Sequence, residues 1–219
     1  MELADVLHTT GAVRRFTDDP LPDDALHRIL DLARFAPSGG NRQGARVIAV
    51  RDRDTRERLV ELSGTGGRRY AAQSANGEAP WNTVEPPRVT PEEIAETEVP
   101  AHLTRPLVDA PVLLVVCVDL AVVASTDSEL DRVGVVSGGS IYPLAWNILL
   151  AAREEGYGGT FNTMAIAEEP AVKELLGIPE RYAVAALLPL GRPVKQVTRL
   201  RRVAVADFVV RERFDGEAL

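Results

Sequence analysis

The chain is poor in residues that hold metals or close disulfides. Its 219 residues include one cysteine and three histidines. A lone cysteine excludes an intrachain disulfide and a cysteine metal cage. Cys117 sits inside the apolar run Val112 to Val118 and reads as a buried, inert thiol. His8, His27 and His102 stand at no ligand spacing from one another or from Cys117, so no metal site is expected. No apolar run reaches the roughly 20 residues that span a bilayer. Met1 to His8 carries Glu2 and Asp5 and no long apolar core, so it does not read as a signal peptide. The expected location is therefore the cytoplasm, with no membrane partner. No G-x-G-x-x-G follows a strand and no Walker A pattern occurs, which leaves a Rossmann site and a P-loop unsupported. Ser137-Gly138-Gly139-Ser140 follows no strand and is not G-x-S-x-G, so hydrolase chemistry has no support either. The net charge of -7 argues against nucleic acid as a partner and leaves small molecules open.

What is present is a globular composition, 45% hydrophobic and 26% charged, in a chain long enough for a sizeable core. Leu3, Val6 and Leu7 give a short helical stripe ending near Gly11. Pro22 to Arg34 reads as the first strong helix, with Leu26, Ile29, Leu30 and Ala33 at helical spacing and Asp23 and Asp24 at its positive end. Arg46 to Arg51 reads as a strand and Asp54 to Leu62 as a charged surface helix. Glycines and prolines then interrupt every period from Gly64 to Pro106, leaving room only for a short acidic helix from Pro91 to Glu98. A stretch of that length reads as a lid, a binding loop or a partly disordered segment rather than a connection. Val112 to Val118 reads as a central strand buried on both faces. Asp131 to Glu155 is the longest helical candidate, kinked or restarted at Pro143 and closed by Gly156. From Ile141 to Ala152, Trp146 included, it is apolar on almost every side, which predicts cover from the core or from a second subunit. Glu169 to Leu176 reads as a short helix, Tyr182 to Leu190 as a second buried strand, and Val203 to Arg213 as a possible short helix. Helices and strands mix without strict alternation and without a domain break. The expected fold is therefore α+β, one domain over 1–219, with a mixed central sheet flanked by helices and 64–106 as a variable insert.

The remaining chemistry lies in arginines and glycine-rich loops. Arg14 and Arg15 cluster early, and Arg199, Arg201 and Arg202 cluster late. Each set reads either as solvated surface charge or as a fork for a ligand phosphate. Gly158-Gly159, ahead of Thr160 to Met164, reads either as a helix-to-strand turn or as backbone that lets a planar ligand come close. Ala36-Pro37-Ser38-Gly39-Gly40-Asn41-Arg42-Gln43 is a loop between a helix and a strand, able to approach a flat ligand.

Four blocks carry a resemblance. They are Val13-Arg14-Arg15-Phe16 leading through Asp18 to Pro22 into a helix; the Pro37-Ser38-Gly39-Gly40-Asn41 loop with Gln43; Asn147 and Leu149 to Ala152 followed by Gly156 to Gly159; and Glu174 to Pro179 followed by the strand to Pro193. In order and spacing, over nearly the whole chain, they resemble the flavin-dependent nitroreductase family. The resemblance implies a nitroreductase-like α+β fold, an intertwined homodimer and FMN in clefts between subunits. It implies an FMN-dependent oxidoreductase that moves a hydride between NADH or NADPH and a small-molecule nitroaromatic, quinone or enone by a ping-pong scheme. A flavin dehydrogenase, a flavin-storing protein and a cofactor-free structural dimer are the alternatives. Residue by residue, Arg14 resembles the basic group near the flavin ring and ribityl chain. Pro37, Ser38, Gly39 and Asn41 resemble the loop packing on FMN from the partner subunit. Phe161, Asn162, Thr163 and Met164 resemble the stretch whose amides face the flavin, and Arg199 and Arg201 the basic residues at its phosphate. No side chain is implied as a nucleophile, because the cofactor carries the chemistry. Tyr70 and Trp81, large rings in the insert, are the expected substrate contacts. The chain departs from the family pattern at Thr10-Gly11-Ala12, where arginines and a serine are usual. It departs again at Gly44-Ala45, where Pro-Trp often follows. The first departure removes an arginine and a hydroxyl from the phosphate end, and so implies looser FMN retention.

Overall fold

The protein is described over residues 1–219 by a computed structural model. Four strands, β1 (Ala45–Val50), β2 (Val112–Asp119), β3 (Gly158–Gly159) and β4 (Tyr182–Gly191), form one sheet in the order β1-β2-β4-β3, and every pairing is antiparallel. Seven helices surround it: α1 (Leu3–Thr9), α2 (Asp23–Ala33), α3 (Arg53–Ala75), α4 (Pro91–Glu96), α5 (Ala101–Asp109), α6 (Tyr142–Glu154) and α7 (Glu169–Leu176). None is long and apolar enough to cross a membrane.

β2 explains the layering. Its side chains alternate between two faces, and all eight residues are buried. Leu114 and Val116 face α2 and α6, where Ile29 and Ile148 complete one core. Leu113, Val115 and Cys117 face α3 and α5, where Leu59 and Leu107 complete the other. A strand covered on both sides must be apolar at every position, which is why this run shows no alternation in the sequence. Burial, with Glu169 nearby, pushes the Cys117 thiol up to about 11, so it stays protonated and unreactive.

Four elements differ from the sequence reading. α3 does not stop at Leu62 but runs through Gly64, Gly66 and Gly67 to Ala75. At Gly66 a Cβ would collide with the Met164 carbonyl oxygen, so this glycine marks a close approach of backbones and not a helix end. α5 is a helix absent from the sequence reading, and Pro106 lies inside it. Its last carbonyls accept hydrogen bonds from the Arg56 guanidinium of α3, at Val108 (2.9 Å) and at Ala110. Irregular chain in the insert is thus confined to 76–90 and the short link before α5. α4 is capped by Thr90 and Glu93 in a reciprocal box. α6 begins at Tyr142, with Pro143 in its first turn, so Asp131 to Ile141 is not helix except for a short 3-10 turn from Val136 to Ser140. Tyr142 and Trp146 are exposed, so α6 presents an uncovered apolar edge. The tail forms a single 3-10 turn, Val205–Asp207, in place of the expected helix.

Candidate functional site

The Gly66 approach to Met164 sets up a cleft. Gly66 and Tyr70 of α3 form one wall, Thr163, Met164 and Ile166 another, and Trp81, Val133 and Tyr142 the rim, around a volume of ≈ 680 Å³. No charged side chain lines it. Trp81 is fixed there by three contacts. Its backbone N–H donates to Gln73 Oε1 at 3.0 Å, and its indole N–H reaches the Gly66 carbonyl at 3.4 Å. The Arg69 guanidinium lies 4.1 Å from its ring centroid. Its φ of +58° is a left-handed conformation rare for a bulky residue, held by those contacts.

The stretch expected to face a flat ligand divides by residue. Phe161 packs into the core below Tyr142, ring centroids 6.3 Å apart. Asn162 is buried and acts as a brace. Its backbone pairs with Leu187, its Nδ2 donates to the Leu103 carbonyl at 2.6 Å, and its Oδ1 accepts the Met164 N–H at 2.9 Å. The Met164 amide is therefore already engaged, while the Thr163 amide has no hydrogen-bond partner. Gly158 and Gly159 are buried against Val13 and Leu190, leaving no room for a Cβ, so close packing accounts for both glycines.

The Pro37 to Gln43 loop lies elsewhere. Ser38 Oγ accepts the Gln43 N–H at 2.9 Å, and the Gly39 N–H reaches Ser140 Oγ at 3.2 Å. Gly40, Asn41 and Gln43 all take positive φ. Pro37 and Ser38 line a separate groove of ≈ 280 Å³ with Leu30, Arg34 and Leu144. Within one chain this loop does not meet the cleft.

The arginine end is a third place. Val13 donates to the Gly159 carbonyl, and Arg15 accepts from Val194, so Arg14 stands exposed between two paired neighbours. Gln196 Nε2 donates to the Thr9 carbonyl, and Val197 and Leu200 close over Gly11. Arg199 lines a hollow of ≈ 540 Å³ with His8, Trp146 and Arg202, and Arg201 is exposed. Arg14, Arg199 and Arg201 form no ion pair, whereas Arg28, Arg34, Arg53 and Arg58 do. Sequence reasoning missed Tyr142 and Val133, which line the cleft; their neighbours Pro143 and Gly134 are ordinary loop signals and gave no reason to single them out.

An antiparallel sheet sandwiched by helices, with the candidate residues split between an aromatic cleft, a polar loop and an arginine-rich edge, is an α+β architecture of the nitroreductase type. The family model described as the nitroreductase family matches residues 10–192, and the chain belongs to that family. A Thermus thermophilus protein named NADH dehydrogenase is 26% identical over 84% of this chain and 83% of its own. The NADPH-flavin oxidoreductase of Vibrio harveyi is 25% identical over 83% of this chain and 62% of its own. The fold matches a crystal structure of oxidized iodotyrosine deiodinase bound to FMN and 3-iodo-L-tyrosine, with a TM-score of 0.68 and 23% identity over 96% of this chain and 98% of that one.

Proposed function

We propose that the protein is an FMN-dependent oxidoreductase that uses NADH or NADPH to reduce a small nitroaromatic, quinone or enone. The carrying observation is the unpartnered Thr163 amide on the wall of an uncharged, aromatic-rimmed cleft. The names of relatives, NADPH-flavin oxidoreductase and a deiodinase bound to FMN, support the cofactor.

The residues fit a flavin at its ring end. Thr163 would offer a backbone donor to the ring edge, and Arg14 a cation where negative charge gathers on the reduced ring. Bound FMN supplies two-electron hydride chemistry, taken from the nicotinamide in one half-reaction and passed on in the next. Water is kept from the reacting edge by Trp81, Tyr70 and Tyr142, and 64–106 serves as the substrate-selecting wall of a single domain. At the phosphate end the fit is leaner. Thr10 spends its hydroxyl on the Val6 carbonyl, Gly11 is roofed by Val197 and Leu200, and Ala12 has no side-chain donor. Arg199 and Arg201 remain for the anion.

The site is completed in a homodimer on this reading. Tyr142, Trp146, Leu130, Val135, Phe208 and Phe214 are exposed, and the Pro37 loop needs a second chain's cleft to meet a flavin. Light scattering should return about twice the 23.7 kDa chain mass. The cofactor-free dimer is the second reading, favoured by the phosphate end alone. FMN absorbance retained after gel filtration and bleached by NADH or NADPH supports the enzyme; absence of any FMN binding supports the second reading instead.

A further inference from the structure

We propose that the cleft selects acceptors bearing a carboxylate beside a flat ring, and that Arg69 supplies the cation that recognises it. The inference rests on the cleft being the acceptor site. α3 changes character along its length. In its first half Arg53 pairs with Glu57 and Arg58 with Glu61. Beyond Gly66, Arg68 and Arg69 have no acid three or four residues on, where Ala71, Ala72 and Gln73 stand. Neither makes an ion pair, and Arg69 donates no hydrogen bond. Its Nε is one of only two buried side-chain polar atoms in the protein that lack a partner. The acid closest in the loop, Glu78, is fully used: its carboxylate accepts from Gln73, Asn76 and the amides of Arg88 and Val89.

Arg69 is therefore a half-buried, uncompensated cation resting on the same indole that walls the cleft, 4.1 Å from its ring centroid. Arginine cannot relieve this by losing its proton. An uncharged aromatic cleft with one unpaired guanidinium stacked on its Trp81 ring suits a ring that lies against Trp81 and an anion that meets the guanidinium fork.

The test compares 4-nitrobenzoate with 4-nitrobenzamide, a neutral probe of nearly the same shape, on FMN-loaded protein. The expected result is a kcat/KM ratio of about tenfold in favour of the carboxylate, the value of one partly screened charge contact. Arg69→Gln should collapse that ratio, and Arg69→Lys should keep part of it. A ratio near one in the native protein, or one that survives Arg69→Gln, overturns the inference. Benzoate and benzamide titrations followed by Trp81 fluorescence in a Trp146→Phe background need no turnover. Tighter benzoate binding, lost in Arg69→Gln, supports the carboxylate site even if NAD(P)H fails to bleach the flavin, whereas equal binding overturns it whatever the flavin does.

Discussion

The aromatic cleft and the arginine edge are built in opposite ways. At the cleft every element is pinned: Gly66 to Met164 by backbone approach, Asn162 to Leu103 and Met164 by two hydrogen bonds, Trp81 to Gln73 and Arg69. At the edge, Arg14, Arg199 and Arg201 stand exposed, and the three positions before Val13 offer no free side-chain donor to a ligand. On the proposed reading, a preorganised ring site and a loosely equipped anion site set chemical selectivity and binding strength at different ends of the same ligand.

The largest effect that would break this contrast comes from Gly66→Ala. The added methyl has no space beside the Met164 carbonyl, so α3 and the 163–166 stretch must separate. We expect a loss of about 3 kcal/mol, an overpacking penalty at the top of its usual range, and a fall in Tm of roughly 10 °C. Gly139→Ala is the control, because nothing lies within 4 Å of its added Cβ. It should change stability by less than about 0.5 kcal/mol. Equal effects at the two glycines would show that the cleft wall is not locked as described.

Trp81→Ala comes next. It deletes the ring shared by the cleft and Arg69 while leaving Thr163 and the arginine edge in place. Stopped-flow should show acceptor reduction slowed about tenfold, in line with loss of one stacked ring contact, and flavin reduction by NAD(P)H changed much less. If both half-reactions slow together, the insert shapes the whole pocket and not acceptor choice.

These outcomes bear on what the sequence could reveal. β2 and α2 were legible because a seven-residue apolar run and a 3.6-residue stripe each have one physical solution. The helix after Thr90 was legible through its Pro91 and the acids behind it. α3 was not, because a glycine that permits close packing and a glycine that ends a helix look alike until the partner backbone is known. The same ambiguity hid α5 behind Pro100 and Pro106, and Pro143 identified a helix start where periodicity suggested a longer element. At the site, Tyr70, Trp81, Thr163 and Met164 do meet in one cleft. The Pro37 loop does not join them in one chain, and no local pattern encodes which surfaces a second chain brings together.

A smaller change would sharpen the arginine edge. Ala12 is exposed beside the buried Val13, at the position where the family usually has serine. Ala12→Ser adds a donor without displacing anything. One hydrogen bond to a solvent-exposed phosphate contributes about 1 kcal/mol, so FMN affinity should rise roughly fivefold in a fluorescence titration. Unchanged affinity would place the phosphate away from this turn.

The smallest effect concerns the segment that carries Val133 to the cleft rim. Asp127 is buried, and its Oδ2 accepts the Val135 N–H at 2.7 Å, the Val136 N–H at 3.3 Å and the Arg132 guanidinium at 2.9 Å. The Val135 amide, then Arg132, hold its carboxyl down at about 2, below the usual value of about 3.9 for an unfolded chain. A carboxylate whose folded pKa is lowered stabilises the loop fully above the unfolded value and ceases to do so as pH falls through the folded one. Protection of the Val135 and Val136 amides, corrected for intrinsic exchange, should therefore decline between about pH 4 and pH 2 and stay level above it. Asp127→Asn cannot titrate, so its protection should start lower and remain flat across the same window. Protection that falls equally in both proteins would assign the acid response to the fold as a whole. The cleft rim would then be no more sensitive to acid than the pinned wall opposite it.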